Sequence, residues 1–310
     1  MVYERFAARP VEPPPAWVRA AGAVEEGAAA AFRAGAALAL LHAAASADHD
    51  LGILWRQRCA LRAAVAHVAL AGRHEDEAAL RDSWYLRRSG DDPGPGGRIL
   101  GLWRRLAEPV SLRPQAWPRA LREAAPAAGP EMLERLAAAA ADAASAARGF
   151  APAAAAGAVA AVLQERADLD GAALWLADAV LARQLGWPAP VPLIAPQVRR
   201  ADLRLAARPD GREAWLRVCC LAYQRAALEA LDLYRDLARR AERLVAAAPR
   251  LRTKAAAGAV ALLLREDAAK AADVGQGVSD RAGRRLFERL VALGAVRELT
   301  GRPSFRLYGL

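Results

Sequence analysis

The chain has 310 residues, a formal net charge of +10, a 25% charged fraction and a 55% apolar fraction. The apolar share excludes an intrinsically disordered chain, and the length suits one large domain or two smaller ones. Only Lys254 and Lys270 are lysines; a bias toward Ala and Arg is what a GC-rich coding sequence produces, so the placement of charge says more than its sum.

Residues 1–16 are Pro-rich and read as an extended entry. A first helix is predicted from Ala23 to Ser46, Ala-rich on every side, with Phe32, Leu38, Leu40 and Leu41 as larger groups. A helix apolar all round is usually buried between others. Arg33 interrupts it, and the run reads as falling short of a membrane span. A second helix, Leu51 to Ala71, carries an apolar stripe of Leu54, Leu61, Val65 and Val68 and ends at Gly72. A third, His74 to Arg87, has Glu75, Asp76 and Glu77 in its first turn and arginines in its last, matching the helix dipole.

The sharpest break is SGDDPGPGGR, residues 89–98, from which a fourth helix runs to Glu108. Pro-bounded helices are predicted at Pro114–Ala124 and Glu131–Arg148, then helices at Ala153–Arg166 and Asp170–Leu185, with Gly186 as the stop. Residues 187–197, WPAPVPLIAPQ, are forced into an extended path by their X-Pro steps. A long helix follows, Arg212 to Ala248. Its Leu221, Leu228, Leu231, Tyr234, Ala238, Ala241 and Val245 recur at spacings of three and four, a core or coiled-coil-like seam that offers a homodimer contact. Pro249 ends that helix and marks the boundary between a helical domain, residues 1–249, and a C-terminal module, residues 250–310.

The module carries 12 basic and 6 acidic residues, a net +6 of the chain's +10. An apolar helix from Lys254 to Leu264 is followed by a polar stretch with few large apolar residues. A second helix, Asp280 to Leu293, is introduced by Gly277-Val278-Ser279. Two β-like runs, Ala295 to Leu299 and Ser304 to Tyr308, flank Thr300-Gly301-Arg302-Pro303. Helix, turn, helix, hairpin is the order of a winged helix-turn-helix. Ser279 is placed as an N-cap. Ala282, Leu286, Leu290 and Leu293 are expected on the packing side, and Arg281, Arg284 and Arg285 on the other, where they would reach phosphates or guanine edges in a major groove. Arg302 and Arg306 on the hairpin would bind flanking backbone or minor groove. Such modules also contact proteins, so a protein-interaction scaffold is the competing reading.

Chemistry is sparsely signalled elsewhere. The histidines His42, His49, His67 and His74 form two pairs seven apart, each able to share a helix face, but metal sites usually need three or four ligands, and exposed or capping roles are the simpler reading. Gly96-Gly97-Arg98 at a helix start offers N–H groups to an anion, without the Lys-Ser/Thr of a phosphate-binding loop. No nucleophile-and-base spacing occurs, so no enzyme, cofactor or metal is expected. Cys59, Cys219 and Cys220 make no disulfide framework, and MVYERFAARPVEPPP lacks the apolar run of a signal peptide. A cytoplasmic protein with no membrane partner is expected.

LWRQRCALRAA (54–64), AGRHEDEAALRDSWYLRRSGDDPGPGGRIL (71–100) and SDRAGRRLFERLVALGAVRELTGRPSFRLYGL (279–310) resemble the uncharacterised bacterial family called domain of unknown function 1403. That resemblance covers most of the chain and implies a bacterial protein without implying an activity. A helical body followed by GAVRELTGR is also similar to Fic-type proteins, but the loop from Ser89 to Arg98 has no histidine base and no asparagine, so no catalytic residue carries over. The sequence is thus expected to give an all-α, multi-helix array with a C-terminal winged helix-turn-helix bearing a small β-hairpin, whose partner is duplex DNA.

Overall fold

Alanine, leucine and arginine are strong helix formers, and the computed structural model is correspondingly helical. It describes residues 11–19, 27–46, 49–88, 90–125, 127–147, 149–251, 255–275 and 278–310. The chain runs through α1 (Ala16–Arg19), α2 (Gly27–Ala45), α3 (Asp50–Leu70), α4 (Glu77–Tyr85), α5 (Gly94–Leu106), α6 (Trp117–Ala124) and α7 (Pro130–Ala146). It continues through α8 (Ala151–Glu165), α9 (Asp170–Gln184), α10 (Arg200–Ala206), α11 (Arg212–Ala247), α12 (Ala256–Leu263) and α13 (Asp280–Ala292). A two-stranded antiparallel ribbon, β1 (Arg297–Glu298) with β2 (Tyr308–Gly309), closes it. The predicted helix starts at Ala23 and Lys254, and Gly277, fall outside the described residues.

Helix α9 lies at the centre. Every residue from Gly171 to Ala182 is buried, as an all-round apolar helix requires. It packs against α8, α7, α6, α5 and α3, while α11 lies along α2 and crosses α8 and α3. Of the seam read as core or coiled-coil-like, Leu228, Leu231, Tyr234 and Ala241 are buried within the chain. Helix α2 corrects an expectation. With 19 residues, a mean hydropathy of 1.4 and only Arg33 charged, it is long and apolar enough to cross a membrane by length and composition; here it packs along α11.

Indole N–H groups account for two of the histidines. Six buried tryptophans each find an acceptor, because an unmet indole donor in a core is costly. Trp55, Trp117, Trp175 and Trp215 donate to the carbonyls of Ala230, Ser111, Leu102 and Ala156. Trp103 and Trp187 donate to Nδ1 of His67 and of His42, at 3.2 and 3.1 Å. His49 caps α3, its Nδ1 accepting from the Gly52 N–H, while its Nε2 meets the Tyr234 hydroxyl at 3.0 Å. No cluster of His, Cys, Asp or Glu able to hold a metal occurs among the described residues. Burial lowers the His67 pKa to about 4, so its ring stays neutral. At Gly171 an added Cβ would lie 2.0 Å from His67 Nε2, which fixes glycine at that crossing.

The Pro-rich stretch 187–197 holds no α-helix, but the expected extended path is corrected at its end, where Ala195–Gln197 form a 3-10 turn; the stretch is also buried, with Trp187, Val191, Leu193 and Ile194 facing the core. A buried segment outside α-helix and sheet must find other partners for its N–H groups. Asp178 of α9 supplies them, accepting from the Leu193 N–H at 2.7 Å and the Ile194 N–H at 3.2 Å, and from the Tyr223 hydroxyl at 3.2 Å. The loop at 91–98 satisfies itself. Asp92 accepts from the Gly94 N–H and pairs with the Arg98 side chain at 2.6 Å. Helix α5 begins at Gly94, four residues before the expected Arg98, because a proline in the first helical turn loses no hydrogen bond.

Candidate nucleic-acid interface

Residues 255–310 wrap around two aromatic rings. Phe287 of α13 and Tyr308 of β2 stack with centroids 4.5 Å apart and planes 4° off parallel. In the same buried cluster lie Val260, Leu263, Leu286 and Leu290. Between α12 and α13 the chain makes a single bridge and a tight turn. Ala269 and Tyr308 exchange both backbone hydrogen bonds, each at 2.9 Å, and residues Ala271–Val274 form one 3-10 turn. The ribbon thus has β2 between β1 and the lone bridge residue Ala269. The turn stands where the sequence, short of large apolar residues, specified no full helix.

Helix α13 is set against that turn at very close range. A Cβ on Gly283 would lie 2.3 Å from the Ala271 carbonyl oxygen. Only glycine admits this approach, and the buried face is therefore Gly283, Leu286, Phe287 and Leu290. The expected packing side is corrected by one position: Ala282 is exposed, and Gly283 replaces it. The physical reason is backbone contact, which apolar periodicity does not register.

The opposite face presents Arg281, Arg284, Arg285 and Arg289, all exposed, with Asp280 and Glu288 among them. Ser279 caps the helix as expected, its Oγ accepting from the Ala282 N–H at 3.3 Å. Arg284 pairs with Asp280 at 2.5 Å one turn back. Arg281 and Arg285 form no ion pair among the described residues. On the hairpin loop, Arg306 is exposed and donates through Nε to the Arg302 carbonyl at 3.0 Å. Arg302 forms an ion pair with Asp82 of α4. Four of the five arginines singled out from sequence thus face solvent without a tie to the helical body, whereas Arg302 is tied to it.

The loop between β1 and β2 is held from within. Burial pushes the Glu298 carboxyl up, but hydrogen bonds from Thr300, and from the N–H groups of Thr300 at 2.8 Å and Gly301 at 3.0 Å, outweigh it. Its pKa lies below the ordinary value.

A second feature was not legible in the sequence. The segment joining α12 to the bridge drives a charged cluster into the surface formed by α3, α4 and α5. Asp267, only 2% exposed, receives Arg81 Nε at 2.7 Å and forms an ion pair with Arg58. Arg58 also donates to the carbonyls of Asp267 and Leu310, at 3.1 and 3.0 Å, and the Asp267 N–H donates to Gln57 Oε1 at 3.0 Å. Beside it Glu266 pairs with Arg104 at 2.9 Å, and Lys270 donates to the Tyr85 carbonyl at 3.0 Å. Burial lowers the Arg58 guanidinium and raises the Tyr85 phenol. The arginine-bearing face is therefore fixed in orientation to the helical body by buried charge.

A basic cleft of about 350 Å³ is lined by Arg240 and Arg243 of α11, by Gly294 to Arg297, and by Leu310. Arg240 is neutralised there by Asp236.

No curated protein and no solved structure matches this chain. A family model described as "Protein of unknown function (DUF1403)" matches residues 8–310, nearly the whole length, including α3 to α5, the Asp267 cluster and the hairpin. The resemblance carried by residues 54–64, 71–100 and 279–310 thus extends across the fold, and the chain belongs to the DUF1403 family.

Proposed function

We propose that the protein binds duplex DNA, using residues 250–310 as a winged helix-turn-helix carried on the helical body. The observation that supports this most is the division of α13 into a buried apolar face and a solvent face carrying Arg281, Arg284, Arg285 and Arg289. The order of elements also suits the reading: helix, bridge residue, turn, helix, strand, loop, strand, with β2 in the middle of the ribbon. The first turns of α13 enter the major groove, where arginine reads guanine edges and neutralises phosphates, and the hairpin loop lies over the flanking backbone.

Binding of this kind releases counterions. With about four phosphates neutralised, log K falls against log[salt] with a slope near −4. Replacing Arg284 and Arg285 together by Ala should weaken duplex binding at least tenfold and move the slope to about −2. Fluorescence anisotropy with a mixed-sequence duplex, from 50 to about 200 mM salt, measures both quantities. Arg212→Ala with Arg217→Ala, two exposed arginines of α11, serves as the matched control and should change neither. If the α13 double variant binds like the wild type, α13 is not the recognition element.

A further inference from the structure

The tip of the hairpin loop carries the most exposed large apolar side chain among the described residues. Phe305 is 73% exposed, between the exposed residues Ser304 and Arg306. It is also the one non-glycine residue there with a positive φ, +54°. Bulky residues occupy that region sparsely, and hold it only where the surroundings fix the backbone. Here they do. On one side Glu298 gathers the Thr300 and Gly301 N–H groups, and the Leu299 N–H donates to the Leu307 carbonyl at 2.8 Å. On the other the Arg306 guanidinium spans the loop to the Arg302 carbonyl. Arg302 is in turn tied to Asp82 of α4, and Leu307 and Tyr308 are buried immediately behind. A rigid loop thus holds a phenyl ring outward against both its backbone preference and its solvation.

The geometry points to Phe305 as an apolar wedge that enters the DNA minor groove and partly unstacks one base step, guided by Arg306 beside it. This rests on the DNA-binding reading above and deepens it. Occupancy by DNA follows from the charge around the ring: Arg306 stands beside it and forms no ion pair among the described residues, and residues 250–310 carry net +6. Wedges inserted from the minor groove kink the duplex toward the major groove. Pyrimidine–purine steps, TA above all, open most readily, so the preferred substrate is an A·T-rich duplex carrying a TA step. The rigidity of the loop suits this use, since a wedge that had to be ordered on binding would lose the gain of insertion.

The test uses the full chain and a duplex with 2-aminopurine next to a central TA step and a fluorophore pair on its ends. Wild-type protein should raise the 2-aminopurine signal and the end-to-end energy transfer. Phe305→Asn removes the ring while keeping a residue that tolerates positive φ, so loop geometry is retained. It should bind about tenfold more weakly and leave 2-aminopurine quenched; Phe305→Trp should restore both signals. Binding by the wild type without unstacking overturns the wedge alone and leaves the α13 contacts standing. Unstacking by Phe305→Asn equal to that of the wild type also overturns it, and assigns the exposed ring to a protein contact. No salt-dependent binding to any duplex overturns both the wedge and the DNA reading.

Discussion

Asp267→Ala should cost about 3–5 kcal/mol of stability, a loss large enough to detach the C-terminal module from the body at moderate denaturant. Three quantities set the size. The carboxylate is 2% exposed, and its partners Arg81 and Arg58 keep only 9% and 13% of their side-chain surface in water. Removing the anion leaves two nearly buried guanidiniums with only the half-exposed Glu77, paired to Arg81, as counter-charge, a worse state than never having buried the pair. Glu266→Ala should cost far less, because Glu266 is one-third exposed and Arg104 retains Tyr85 and Gln57 as partners. Urea unfolding followed by helical ellipticity, with the unfolding slope fitted separately, distinguishes these outcomes. An Asp267→Ala loss no larger than that of Glu266→Ala would show that the cluster is not what holds the module.

Asp178→Asn should change how stability depends on pH. Burial raises the Asp178 carboxyl to about 7, against the pull of its hydrogen bonds from Leu193, Ile194 and Tyr223. Its value in the unfolded chain is about 3.9. Between these two values the folded chain holds a proton that the unfolded chain has released. Stability therefore falls as pH rises from about 4 to about 7, then levels off, with a total of about 4 kcal/mol at stake. An amide of the same shape keeps an acceptor for the Leu193 and Ile194 N–H groups and cannot ionise. The variant should lack this decline, matching or trailing the wild type at acid pH and exceeding it above pH 7. Denaturation midpoints collected between pH 4.5 and 8 give the comparison. Parallel curves for the two proteins would rule out ionisation of Asp178 as a brake on stability.

The helices were legible where a long stretch kept one apolar face or lacked polar residues altogether. α3, α9 and α11 fall within a residue or so of their expected bounds because burial follows the 3.6 period. Helix α10 was not expected: seven residues, Arg200–Ala206, are too few to display a period. The face of α13 was read one position off at Gly283, since hydropathy ranks glycine low while the backbone contact with Ala271 demands it. Ser279 and the arginines were legible because capping and exposure are local properties. Asp267 was not. It sits in a polar stretch that reads as a linker, and Arg81 is 186 positions away. Buried ion pairs between distant segments leave no periodic trace in one sequence. For the same reason the histidines read in the sequence as exposed or capping groups, whereas His67 and His42 serve as acceptors for the indole N–H groups of Trp103 and Trp187.

Helix α2 has a consequence for how the protein is made. Its buried side, with Ala30, Ala34, Ala37, Leu38 and Leu41, lies along α11, which begins about 170 residues later in the chain. At ribosomal rates of roughly 5–20 residues per second, α2 emerges some 10–30 seconds before its cover exists. During that interval the nascent chain displays 19 residues with the length and hydropathy of a membrane segment near its N-terminal end. Targeting factors and holding chaperones that recognise such segments on the ribosome therefore compete for α2 until α11 is synthesised. Slowing translation between α2 and α11 should lengthen that competition, while Leu38→Ser and Leu41→Ser should weaken recognition at the expense of the finished core.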